Sequence, residues 1–177
     1  MDMVEQSNEY TNRYKSILDN IRCMIVDDAN EELYESYRED FGKLGLFASA
    51  GGFLKTMYYI RKGKDDMNVL KPLIYQMAVE ALLAISWYTE NTLSDIVDSQ
   101  LALFKIKNKR YGNSFAECFS KDGFPYAFGH LQEKINRICS LLILNDEAKE
   151  EPVIDSYKDL LGYCVLTLIE IEKLKEN

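Results

Sequence analysis

The sequence predicts an all-α protein, folded as an antiparallel bundle of about six helices. Three observations lead there. Apolar residues recur at spacings of three and four along most of the 177 residues, the period of a helix with one buried face. Three prolines and nine glycines are too few to punctuate the many turns of an all-β chain. A hydrophobic share of 47% with 12% aromatics is enough to build a core, so the composition is not that of a disordered chain.

The elements follow in order. A first helix is expected from about Val4 to Val26, with Tyr10, Tyr14, Ile17, Ile21 and Met24 on one face. A second helical stretch runs from near Asn30 to about Lys62, bent or broken around Gly42 and Gly45. Within it, Phe47 to Phe53 is rich in small residues. A phosphate-cradling loop would need a strand before these glycines and a Lys-Ser/Thr pair after them. Neither is present, which favours close helix–helix approach or a helix break. The third helix spans about Val69 to Thr89, with Pro72 tolerated near its start. Its middle, Met77 to Trp87, is apolar on most sides and should be the most buried helix. Glu80 stands in that apolar setting, either as a functional carboxylate or reaching a partner cation or the domain edge.

The fourth helix starts at Thr92 or Ser94, both good caps. Leu93, Val97, Leu101 and Phe104 form its core stripe, and it ends in the basic cluster Lys105 to Arg110. A loop is expected from Tyr111 to Gly123. The fifth helix runs from Phe124-Pro125 to about Leu144, and Asn145 to Glu151 forms an acidic linker. The sixth starts at Pro152 with the stripe Ile154, Tyr157, Leu161, Cys164, Leu168 and Ile171.

The formal charge of −8 argues against an extended nucleic-acid surface, which needs clustered Lys and Arg, but leaves room for a small cationic site. Cys23, Cys118, Cys139 and Cys164 form no CxxC pair, and the lone His130 has no metal-ligand spacing to them, which disfavours a zinc site. The chain opens on a polar, acidic segment without secretory character, so reduced thiols and a cytoplasmic location are expected. No uninterrupted apolar run approaches the roughly 20 residues that span a bilayer.

His130, Lys134 and Arg137 stand at i, i+4 and i+7 on the fifth helix and share one face. Opposite them lies the core stripe Ala127/Phe128, Leu131, Ile135, Ile138 and Leu142. Three such groups can hold an anion such as phosphate, with the Arg fork giving bidentate contact. They can equally be a solvated face offset by Glu133 and the acidic linker. Lys107, Lys109 and Arg110 lie just upstream, and Asn113 and Ser114 can add donors. Asp155 and Asp159, one turn apart on the sixth helix, can bind a divalent cation such as Mg²⁺ or hold cationic side chains. Acids in the first turns of a helix also favour its dipole without any such role.

Three blocks of sequence carry a family resemblance. The first is Lys107-Asn108-Lys109-Arg110-Tyr111-Gly112-Asn113-Ser114-Phe115. The second runs from His130 to Arg137, and the third from Asp155 to Tyr163. Together, in this order, they resemble the type 1 nucleotide modification associated domain family of bacteria and phages, over about Thr92 to Lys173. The resemblance implies ligand-contacting roles for Lys107, Asn108, Tyr111, Gly112, Ser114, Lys134, Arg137, Asp155, Asp159 and Tyr163. His130 stands where the family tends to have Arg, Glu133 where it tends to have Asp, and Gly162 replaces a larger polar residue. A more distant likeness is to MazG-like all-α nucleotide pyrophosphatases. Asp155 and Asp159 fit the second half of their Mg²⁺ site loosely, whereas the fifth helix offers Glu133, Lys134 and Arg137 where acids are needed.

The sequence thus divides into residues 1–91, a helical region without an assigned role, and residues 92–177, the nucleotide-associated part. The expected ligand is a nucleotide or other phosphate-bearing small molecule. It is met by Lys107, Asn108, Tyr111, Gly112, Ser114, His130, Lys134, Arg137 and Tyr163, with Asp155 and Asp159 as candidate metal ligands. This requires the segment after the fourth helix, the cationic face of the fifth and the acids of the sixth to converge on one pocket. A non-catalytic protein–protein module, with the same charges as an internal lattice, is the competing reading. A homodimer is also expected, since two strongly apolar helices offer more surface than a small bundle needs.

Overall fold

A computed structural model describes residues 3–25, 49–63, 66–89, 91–143 and 152–176, with side chains from residue 7 to residue 174 within those stretches. It is an all-α bundle. Among the described residues there are seven helices and no strand: α1 (Met3–Ile25), α2 (residues 49–62), α3 (Met67–Thr89), α4 (Leu93–Tyr111), α5 (Ser114–Asp122), α6 (Phe124–Ile143) and α7 (Val153–Glu176). The expected helix start near Asn30, the bend at Gly42 and Gly45, and the acidic linker Asn145 to Glu151 lie outside the described residues.

One expectation is corrected. The stretch from Tyr111 to Gly123 is not a loop, because Ser114–Asp122 folds as α5. Two glycines make this possible. Gly112 (φ +59°) and Gly123 (φ +66°) end α4 and α5 in backbone conformations that side-chain-bearing residues avoid. Each donates its N–H back into the helix it ends, to the carbonyls of Asn108 and Phe119. Phe115 and Phe119, one turn apart, are buried and anchor the short helix. At the other end of α4, the Thr92 hydroxyl accepts from the Asp95 N–H, the cap its sequence announced.

The long helix α7 organises the bundle. It packs between α3 and α6 and also touches α1, α4 and α5. Of the expected stripe, Tyr157, Leu161, Cys164, Leu168 and Ile171 are fully buried and Ile154 is half-buried at the helix start. Contacts fix the directions. Lys71 near the start of α3 bonds Glu172 near the end of α7, while Tyr88 near the end of α3 meets Tyr157 near the start of α7. Tyr10 bonds Glu170, and His130 and Lys134 meet Tyr163 and Asp159 in reverse order. So α7 runs antiparallel to α1, α3 and α6.

Helix α3 is heavily buried, but α7, not α3 as expected, is the most enclosed helix among the described residues, because α7 packs on five neighbours while Asn68, Val69, Pro72 and Gln76 of α3 are exposed. Leu70, Ile74, Met77, Ala78, Ala81, Leu82 and Ala84 are all buried. Its length and apolarity match a bilayer-crossing helix, but Lys71 and Glu80 interrupt it and most of its surface packs inside the bundle. The small residues of α2 serve close approach and lie within a helix. A Cβ at Gly52 would come within 3.0 Å of the Glu80 carboxylate. Burial holds the Glu80 pKa above the ordinary carboxylate value, against a hydrogen bond from Gln76, and its buried Oε2 has no hydrogen-bond partner among the described residues. One continuous core draws on residues from both halves of the chain.

Candidate functional site

Where α1, α4, α5 and α7 meet, the packing leaves a cavity of about 430 Å³, within the size range of small-ligand sites. Each wall is one helical stripe. On α4, Gln100, Phe104, Lys107 and Tyr111 stand at i, i+4, i+7 and i+11, so an amide, a ring, a cation and a second ring line up along one face. On α7, Asp159, Gly162, Tyr163 and Leu166 do the same, and α1 contributes Tyr10 and Tyr14. Asn113, Ser114 and Phe115, at the start of α5, complete the wall.

The cavity grades from apolar to polar. At its inner end the Tyr14 and Phe104 rings stack with centroids 3.9 Å apart and planes 11° from parallel. At its mouth Lys107 and Tyr111 are 51% and 67% exposed. Nearby, Asn108 ties α4 to α1 by donating to Ser7. Asn113 caps α5 without a side-chain hydrogen bond to its first turn, and the start of α5 forms part of the cavity wall.

Asp159 joins the mouth to the interior. One of its oxygens takes Lys107 at 3.0 Å and the other takes Lys134 at 3.2 Å. The two lysines differ. Lys134 is buried, 8% exposed, and also meets Glu133 at 3.2 Å. Burial works against its charge, and Asp159 and Glu133 more than offset that, holding its pKa above the usual lysine value. Lys107 is half in solvent and has Asp159 as its ion-pair partner. An arriving anion can therefore take Lys107 while Lys134 keeps Asp159 compensated.

The expected cationic face of α6 is rearranged by this packing. His130, Lys134 and Arg137 do not form a shared anion cradle, and none of the three lines the cavity. The α6 surface carrying them turns toward α7 and is partly buried, so their charges meet protein groups first. His130 stacks face to face on Tyr163, with centroids 4.4 Å apart and planes 10° from parallel, and meets Tyr126 edge-on. Burial pulls its pKa below the ordinary histidine value; Glu133 opposes this and Lys134 adds to it. The neutral ring acts as a backstop for Tyr163, which lines the cavity. Arg137 is half-buried further along α6.

The two acids part company as well. Asp155 is exposed and pairs with Lys158 at 3.7 Å, whereas Asp159 serves two lysines. A carboxylate already shared by two ammonium groups is a poor ligand for a dication, and no cluster of three or more His, Cys, Asp or Glu suited to a metal exists among the described residues. Of the residues marked in the sequence, Lys107, Asn108, Tyr111, Gly112, Ser114, Asp159 and Tyr163 line the one cavity.

Sequence reasoning missed Tyr10, Tyr14, Gln100, Phe104, Phe115 and Tyr126 as cavity residues. The aromatic ones look like core stripe. Gln100 carried a signal, since it is a polar residue at a buried position of α4 beside Ile96, Val97 and Leu101. Gly162 also finds its reason here. A Cβ at that position would lie 3.2 Å from the Gln100 amide nitrogen, a tight approach that glycine relieves where Gln100 reaches α7.

Comparison with protein-family models, curated proteins and solved structures finds no match to this chain.

Proposed function

We propose that this protein binds a nucleotide, or another small aromatic molecule carrying a phosphate, in the cavity between α1, α4, α5 and α7. The observation that carries the reading is the convergence there of seven residues marked in the sequence, from two blocks far apart in the chain. The phosphate belongs at the mouth, near Lys107, Ser114 and the first N–H groups of α5, where a helix start favours negative charge. The aromatic part belongs inside, among Tyr14, Phe104, Phe115 and Tyr163. A role beside nucleotide or DNA-base modification, in a bacterial or phage setting, accords with the resemblance of the three blocks. The reading includes no metal, because Asp159 is committed to lysines.

Isothermal calorimetry with nucleoside monophosphates and triphosphates tests this. Binding should be detectable and should weaken about tenfold in Lys107→Ala, the loss of one charge-assisted contact. The absence of binding at millimolar ligand would remove the proposal. The alternative is a non-catalytic interaction module, and the Lys107–Asp159–Lys134 chain supports it by tying three helices together. If Lys107→Ala lowers the melting temperature markedly while no nucleotide binds, that alternative holds.

A further inference from the structure

Gln100 is 4% exposed and lies at the inner end of the cavity. Its amide nitrogen donates to the Lys158 backbone carbonyl at 2.9 Å and stands 3.5 Å from the Tyr14 hydroxyl oxygen. A backbone carbonyl can only accept, so this bond fixes which end of the amide is nitrogen. The amide oxygen therefore points away from α7. Among the described residues it has no hydrogen-bond partner, and it is not sealed off either, since Glu80 Oε2 holds that position alone. Gln100 lines the cavity, which is the open space nearest to that oxygen's residue. The Tyr14 hydroxyl accepts from Gln100, and its own proton is not donated to any described residue. A buried acceptor and a buried donor thus stand side by side at the closed end of a ring-lined cavity.

A pair of this kind is complementary to one chemical pattern, a planar edge that presents an N–H donor next to a ring acceptor. The amino-substituted and lactam edges of nucleobases have that pattern; a sugar phosphate does not. Gln100 and Lys107 are seven residues apart on one face of α4, about 10 Å along the helix axis. That separation is comparable to the distance from the base edge to the phosphate of a nucleoside monophosphate. Phe104 lies between them as a surface for the ring.

We infer that Gln100 and Tyr14 recognise the hydrogen-bonding edge of a nucleobase, so that the ligand enters base first and leaves its phosphate at Lys107. This rests on the ligand reading above and adds orientation and specificity to it. Buried polar groups left unpaired by the wrong ligand are what make such a site selective. Gln100 is a specificity-determining residue in this scheme, and Gly162 acts through it as a positioning residue.

The test is calorimetry with the four common ribonucleoside 5′-monophosphates and with ribose 5-phosphate, which carries the phosphate without the base. At least one nucleotide should bind ten or more times as tightly as ribose 5-phosphate. Gln100→Leu should erase most of that difference. Tyr14→Phe, which keeps the ring stacked on Phe104 and removes only the hydroxyl, should reduce it several-fold, and it guards against a Gln100→Leu variant that fails to fold. Lys107→Ala should instead weaken nucleotides and ribose 5-phosphate alike. Equal binding of ribose 5-phosphate and nucleotides would overturn the inference and leave a phosphate site standing. So would base preferences unchanged in Gln100→Leu and Tyr14→Phe. If no nucleotide binds, the inference falls together with the ligand reading.

Discussion

Two sides of α7 face two different interiors. Between α3 and α7, Leu70, Ile74, Ala78 and Leu82 of one helix and Leu161, Leu168 and Ile171 of the other are buried in one hydrocarbon core. Toward α1 and α4, the inward positions Asp159, Gly162 and Tyr163 meet Lys107, Gln100 and Tyr14, and the space stays partly open. The same helix, with the same period, seals one seam and leaves a cavity in the other. Hydrocarbon side chains interdigitate to native density, whereas ion pairs, an amide and a glycine keep their helices at hydrogen-bonding distances and leave the centre unfilled. The sealed seam carries stability, and the open one keeps polar groups available to a ligand.

That contrast sets the sizes of the expected effects. The largest belongs to the sealed seam. Leu82→Ala should cost about 2–5 kcal/mol in denaturant unfolding, since a fully buried leucine is replaced by a void. A cost near zero would mean α3 is not packed as described. Next comes the carboxylate that joins the two regions. Asp159→Ala should cost about 1–3 kcal/mol, because buried Lys134 keeps only Glu133, whereas Lys107→Ala should cost under about 0.5 kcal/mol. Adding Lys134→Met to Asp159→Ala should restore most of the loss by removing the stranded charge.

Gly112→Ala should cost about 1–2 kcal/mol through backbone strain alone, since open space surrounds the added methyl group. A crystal structure of that variant should show α5 displaced and the cavity wall moved with it. On the sealed side, Glu80→Gln should stabilise slightly at pH 7, because it removes a charge that burial disfavours. The sign follows from linkage. The raised folded pKa of Glu80 gives stability present below the ordinary carboxylate value of 4.5 and lost as pH rises through the folded value. The variant's advantage should therefore grow as pH rises and vanish in acid, below the ordinary carboxylate value.

The smallest effect concerns the backstop of the open side. His130 has a lowered folded pKa, so its contribution is present above its ordinary value of 6.5 and fades as pH falls through the folded value. Melting temperature measured from pH 7.5 to 5.5 should fall slightly more in the native chain than in His130→Gln. An equal fall would separate His130 from any role behind Tyr163.

The helices themselves were legible because each carries a period, a cap or a stop in its own residues. Thr92 marks the start of α4, and the Tyr157-to-Ile171 stripe marks the buried face of α7. Helix α5 was missed because nine residues between two glycines hold little more than two turns, too few for a period to declare itself. Its glycines look like loop punctuation, and only Phe115 and Phe119 finding a core makes the segment a helix. The cationic face of α6 was legible as a pattern but not in its consequence. Whether Lys134 meets solvent or a carboxylate depends on α7, which comes some twenty residues later.

The sequence by itself determined the helical class, most helix boundaries and the identity of the residues that can bear chemistry, since these depend on neighbours within a few turns. Tertiary structure alone decided that Tyr14, Gln100, Lys107, Asp159 and Tyr163 share one cavity, that Lys134 is spent on Asp159, and that Gly162 clears the way for an amide. Those outcomes depend on which helices lie side by side. A hydrophobic period fixes which face of a helix turns inward and leaves open which partner that face will meet.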